Sequence, residues 1–150
     1  MKVEAIDSAA AASKVMIVLP HAAAVPAALA APHSAAGERI LQLGPRRWLA
    51  LSELAASAVI DSWTQRLGAG TRLVEDASAR FATLRVSGAG ARAFLAEQTS
   101  APIAQETATP RALLGDVPVI CCAFADDAVD LLVDRSVAHY ARAWLERALS

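Results

Sequence analysis

Apolar residues in this chain come in short runs, and several of these runs stop at a glycine, a proline or a pair of aspartates. Runs of that length, rich in β-branched residues, read as strands; helices need longer periodic segments. Val15-Met16-Ile17-Val18-Leu19 ends on Pro20 and predicts a buried strand. Arg39-Ile40-Leu41-Gln42-Leu43, then Gly44-Pro45, then Trp48-Leu49-Ala50-Leu51 spell strand, turn, strand, so a hairpin. Arg72 to Glu75 is a short strand, and Phe81 to Val86 alternates like a half-buried one. Leu113-Leu114 opens another strand, and Val117 to Ala125 and Val129 to Val133 flank Asp126-Asp127 as a further hairpin.

Helical signals fall between these strands. Residues 21 to 31 hold a short helix entered near Pro26, because proline suits a first turn. Ser52 is placed to cap a helix whose apolar side is Leu54, Ala58, Trp63 and Leu67, ended by Gly68-Ala69-Gly70. Ser87-Gly88 turns the chain into a helix bearing Ala91, Phe94 and Leu95. Ser136 is placed to cap a last helix, in which Val137, Tyr140, Ala141, Trp144, Leu145 and Ala148 recur at three- and four-residue steps. Residues 1 to 13, alanine-rich and without a large apolar stripe, are expected to be a flexible N-terminal arm. Residues 14 to 150 are expected to form a single domain around one core. Hairpins mixed with helices predict an α+β fold, with a mixed or antiparallel sheet backed by helices.

At 150 residues the chain is long enough to bury a core without disulfides or metals. Hydrophobic residues make up 55%, but much of that is alanine, and no segment offers the roughly 20 apolar residues of a spanning helix. Val15–Leu19 and the signal-peptidase-like Ala28-Leu29-Ala30 raise secretion as a reading, but Glu4, Asp7 and Pro20-His21 break the pattern of a signal peptide. With a net charge of −1 and scattered arginines, the sequence carries no electrostatic footprint for nucleic acid. Its two cysteines are the neighbours Cys121 and Cys122, which a strand points to opposite faces; they read as free thiols in a reducing, cytoplasmic setting.

Catalytic patterns do not emerge. The three histidines, His21, His33 and His139, lack partners at metal-ligand spacing. Asp126-Asp127 is explained by turn chemistry, whereas acid–base pairs need carboxyls facing each other across a pocket. Ser87-Gly88-Ala89-Gly90 lacks the lysine of a P-loop and the third glycine of a dinucleotide loop, so it reads as a strand-to-helix turn. No Gly-x-Ser-x-Gly elbow occurs. Tryptophans Trp48, Trp63 and Trp144 read either as core residues or as anchors at a subunit contact.

Three ordered segments carry a resemblance. Leu43-Gly44-Pro45-Arg46-Arg47-Trp48-Leu49, Leu84-Arg85-Val86-Ser87-Gly88-Ala89-Gly90-Ala91-Arg92 and Asp130-Leu131-Leu132-Val133-Asp134-Arg135-Ser136-Val137-Ala138 resemble signatures of the sarcosine oxidase gamma subunit family. Tyr140 and Trp144-Leu145 follow at that family's spacing, so the resemblance runs from Val15 to Ala148. It implies a fold like the folate-binding domain of aminomethyltransferases. It also implies a non-catalytic role in a heterotetrameric oxidase or dehydrogenase of an N-methylated amino acid. Flavin, NAD and folate would then sit on the larger alpha and beta subunits, with a small delta subunit also present. Arg46-Arg47 and Asp76-Ala77-Ser78-Ala79 depart from the family pattern and leave the substrate open, sarcosine or a related amino acid. No catalytic residue is carried over. Trp48, Arg135 and Trp144 are the interface candidates, Arg135 as a guanidinium for a carboxylate in this chain or a partner's. The alternative readings are a stand-alone folate-binding module and a small aminomethyltransferase-like protein.

Overall fold

The computed structural model describes residues 1–6, 12–20, 24–29, 38–68, 73–100, 111–125 and 127–150. Its strands and helices in chain order are β1 (Lys2–Ile6), β2 (Ser13–Val18), β3 (Arg39–Gly44), β4 (Arg47–Ser52), α1 (Ala56–Leu67), β5 (Leu73–Asp76), β6 (Phe81–Ser87), α2 (Ala91–Gln98), β7 (Arg111–Leu114), β8 (Val117–Ala125), β9 (Ala128–Asp134) and α3 (Ala138–Ala148). Short 3-10 turns cover Ala27–Leu29, Ser78–Arg80 and Arg135–Val137. The fold is α+β, and the described residues form two antiparallel sheets and three helices.

The chain divides into two units. One holds residues 12–78, the other 1–11 with 79–150. The first carries a four-stranded sheet in the order β3-β4-β2-β5. Gly44 and Arg47 pair across the Pro45-Arg46 turn, so the first expected hairpin is present. Register sets Ile17 beside Trp48 and Val15 beside Ala50, and that face packs with Ile40 against Val59 and Trp63 of α1. The buried stripe of α1 is Ala56, Val59, Ile60, Trp63 and Leu67, not the expected Leu54 and Ala58. Leu54 lies before the helix and is exposed. The shift has a local cause: Ser52 accepts from the amide of Leu54, which closes a turn ahead of α1, and the helix itself starts after Ala55 without a side-chain cap.

The second unit carries a five-stranded sheet in the order β1-β6-β9-β8-β7. Leu84 faces Leu131, Val86 faces Val129, and Val119 faces Val133. These side chains form one face and bury Ala91 and Leu95 of α2 and Ala141 and Leu145 of α3. Each such leucine removed from water contributes about 1.5–3 kcal/mol. The Val117–Ala125 and Ala128–Asp134 hairpin is as expected, although Asp126 lies outside the described residues.

One expectation needs correction. Residues 2–6, read as a flexible arm, form β1, which pairs with β6 from Lys2 opposite Ser87 to Ile6 opposite Thr83. Backbone pairing to an existing strand orders a segment whose own side chains bury little. Each unit has an apolar cluster of its own, and further buried side chains such as Leu41, Leu49, Ile120 and Leu132 belong to neither. Helices back both sheets: α1 covers one, α2 and α3 the other.

Candidate functional site

The segment Asp134-Arg135-Ser136 joins β9 to α3 and works as a built junction. Asp134 Oδ1 accepts from the Ser136 amide at 3.0 Å and from the Ser136 hydroxyl at 2.6 Å. The Ser136 hydroxyl and then its amide hold the Asp134 carboxyl below the ordinary value, with Arg80 adding a smaller pull. The sequence places Ser136 as the accepting cap of the last helix. In the structure Ser136 is the donor, and α3 begins after Val137 without a side-chain cap.

Arg135, expected to hold a carboxylate, reaches backwards. Its Nε donates to the carbonyl of Ala79 at 2.8 Å and its Nη2 to that of Phe81 at 3.3 Å. The cause is register: Phe81 pairs with Asp134, so the start of β6 and the turn just before it lie beside the residue that follows β9. Arg80, from the same turn, stacks over the Phe81 ring at 5.5 Å and approaches Asp134 at 3.9 Å.

The other interface candidates separate. Trp48 is 1% exposed and sits in the apolar cluster beneath α1, so it is a core residue. Trp144 is half-buried on α3, packing against its unit's core. A Cβ built at Gly115, in the turn between β7 and β8, would stand 3.5 Å from Trp144 Nε1. Tyr140, expected on the apolar stripe, is instead 57% exposed. Trp144 therefore takes the partly covered position and Tyr140 the open one on the same helix.

Three polar arrangements went unread at the sequence level. Arg85 donates from Nε and Nη2 to the two carboxylate oxygens of Asp130, at 2.7 and 2.8 Å, and that two-pronged bond to Asp130 raises the arginine pKa further. Charged residues alternating with apolar ones at 85 and 130 were the available signal, but the pairing of β6 with β9 was not. Glu38, buried, accepts from Arg66, whose guanidinium also lies 4.8 Å from the Trp63 ring centre. Asp76 accepts from the Ser78 amide at 2.8 Å, repeating the Asp-x-Ser spacing of Asp134 and Ser136.

Nucleophile chemistry gains no support at the cysteines. Cys122 is fully buried, and burial pushes the Cys121 thiol up to about 11, so it stays protonated near neutrality. Among the described residues no three His, Cys, Asp or Glu side chains converge on a metal-sized site. His139 is exposed on α3, whereas His21 and His33 lie outside the described residues. Among the described residues no helix is long and apolar enough to cross a membrane.

By sequence, no family description and no curated protein matches this chain. By structure it is similar to a chain of the heterotetrameric sarcosine oxidase from Corynebacterium sp. U-96, solved in complex with pyrrole 2-carboxylate. The TM-score is 0.75 at 21% identity, covering 97% of this chain and 82% of that one. At that identity the likeness establishes the fold: this chain shares the architecture of a chain found in a heterotetrameric oxidase.

Proposed function

We propose that the chain is a gamma-type, non-catalytic subunit of a heterotetrameric flavin- and folate-linked enzyme that oxidises sarcosine or a related N-methylated amino acid. The observation that carries the reading is the backbone likeness to a chain of heterotetrameric sarcosine oxidase over nearly all of this chain and most of that one. A likeness covering most of both chains relates two chains of similar size, which fits the small-subunit reading. The sequence resemblance points the same way from independent features. Its segments fall at the turn of the β3–β4 hairpin, the β6-to-α2 turn and the β9-to-α3 junction. In this reading the chain is cytoplasmic and stabilises larger alpha and beta subunits, which hold flavin, NAD and folate. A small delta subunit completes the complex.

Among the described residues the chemistry fits a supporting role. The polar side chains of the Asp134–Ser136 junction hold backbone, and the Arg85–Asp130 pair ties two strands. Trp144, with the exposed Tyr140 one turn before it, and the outer edge of Arg135 are the side chains proposed to meet a partner; Trp48 is withdrawn from that role.

The test is assembly with a catalytic readout. Tagged chain is co-expressed with alpha and beta flavoprotein subunits of a heterotetrameric sarcosine oxidase, and native mass, flavin absorbance and sarcosine-dependent oxygen uptake are measured. The expected result is a stoichiometric complex with activity, lower complex yield when the chain is left out, and no turnover by the pure chain with an artificial electron acceptor. An oxidase that assembles and works equally well without the chain would overturn the proposal. So would amine oxidation by the chain alone. Tight folate binding by the isolated chain would favour the alternative of a folate-binding module.

A further inference from the structure

The chain crosses from one unit to the other between Ser78 and Ala79, inside the 3-10 turn Ser78–Arg80. Crossings of this kind are commonly slack and polar. Here each side of the crossing is tied into its own unit. On the Ser78 side, Asp76 Oδ1 takes the Ser78 amide at 2.8 Å. The Ser78 hydroxyl accepts from the Lys14 amide at 3.0 Å, and the Ala77 amide donates to the Lys14 carbonyl at 2.7 Å. That side is therefore bonded to the start of β2. On the Ala79 side, Arg135 takes the carbonyls of Ala79 and Phe81, and Arg80 lies near Asp134. That side is therefore bonded to the end of β9.

We propose that Arg135 is the clasp of this crossing: its guanidinium holds residues 79–81 closed, and without it the turn opens locally while the strands around it stay folded. The geometry carries this in two ways. Arg135 supplies side-chain donors to the carbonyl of Ala79 in the turn and to that of Phe81 at the start of β6, and guanidinium donors make the stronger, charge-assisted kind of hydrogen bond. Its own neighbours in sequence are already fixed by Asp134 and Ser136, so the clasp is anchored at its base. The inference does not depend on the enzyme to which the chain belongs. It assigns Arg135 a positioning role and no contact with substrate.

Arg80 makes the test direct, because its side chain is 60% exposed and trypsin cleaves after arginine in chain that can open. Limited trypsin digestion of the full chain is followed by mass spectrometry, with hydrogen exchange of the 77–82 amides read in parallel. In the wild type, cleavage after Arg80 is expected to be slow despite that exposure. In Arg135→Ala, cleavage there and exchange across 77–82 should both rise about tenfold or more, the size expected for losing hydrogen bonds to a charged donor. Cleavage after Arg66 and Arg92 and exchange in β4 and β9 should stay at wild-type rates. Equal cleavage after Arg80 in the two proteins would overturn the proposal, and so would a uniform rise at every site, which reports global unfolding. Arg135→Lys provides the second variant, since one ammonium replaces a two-pronged fork. It should fall between the other two, and a lysine variant as resistant as wild type would show that the fork is not needed.

Discussion

Trp48 and Trp144 show how one residue type is sorted by its neighbours. Trp48 lies on the strand face that α1 covers, whereas Trp144 lies on a helix that faces the sheet with one side only. Trp48→Ala is therefore expected to cost about 3–5 kcal/mol, the usual range for emptying a buried aromatic site, read from a denaturant melt. The carboxylates give a pH signature. Asp76 and Asp134 are both held below the ordinary carboxyl value, each first by a serine hydroxyl and then by that serine's amide. A carboxyl whose folded value is depressed stabilises the fold above its unfolded value, near pH 4, and that contribution is lost as pH falls through the folded value. Asp134→Asn keeps the accepting oxygen but cannot titrate. The variant should be less stable than wild type at neutral pH and lose stability less steeply below about pH 4, so that the two converge as Asp134 protonates, measured by urea melts across that range. An acid limb identical to wild type would remove Asp134 from the account.

Among the elements, α3 is held at both ends by different means. Its start follows the Asp134–Ser136 junction, and Trp144, near its end, rests beside the β7–β8 turn. That turn depends on Gly115, whose φ of 56° lies in the left-handed region. A Cβ there would meet Trp144 Nε1 at 3.5 Å, an ordinary contact, so the cost of Gly115→Ala is conformational and not steric. The expected loss is about 1 kcal/mol in a thermal or chemical melt, with the tryptophan emission maximum unchanged. A shifted emission maximum would mean that Trp144 had been displaced and that the contact was tighter than its geometry indicates.

At the scale of the whole molecule, a 150-residue chain with a net charge of −1 has little charge to keep copies apart. Its sequence pI is about 6.3. Purified alone, the chain is expected to be least soluble near that pH and to gain solubility on either side, measured by static light scattering from pH 5 to pH 8. If the proposed assembly is correct, the complex should not share this minimum, because partner subunits cover part of the surface and bring their own charge. A solubility profile unchanged by assembly would count against a partner that covers much of this chain.

The sequence alone determined the kinds of elements and most of their places. Short apolar runs closed by Gly44-Pro45, Asp126-Asp127 and Ser87-Gly88 locate eight strands, two hairpins and the strand-to-helix turn, because turn chemistry and side-chain periodicity are local properties. The last helix was legible for the same reason. What the tertiary structure alone decided was everything that depends on which strand lies beside which. Residues 2–6 became β1 only because β6 offered an edge, which no pattern within those five residues announces. Arg85 found Asp130, and Arg135 found the carbonyls of Ala79 and Phe81, across separations of 45, 56 and 54 residues. Register between β6 and β9 set those partners, and register is a property of the pair of strands and not of either one. The same holds for the candidate site. The segment Asp134-Arg135-Ser136 could be picked out from the chain, but whether its arginine faced a carboxylate, a partner or its own backbone was decided by the strand that folding set beside it.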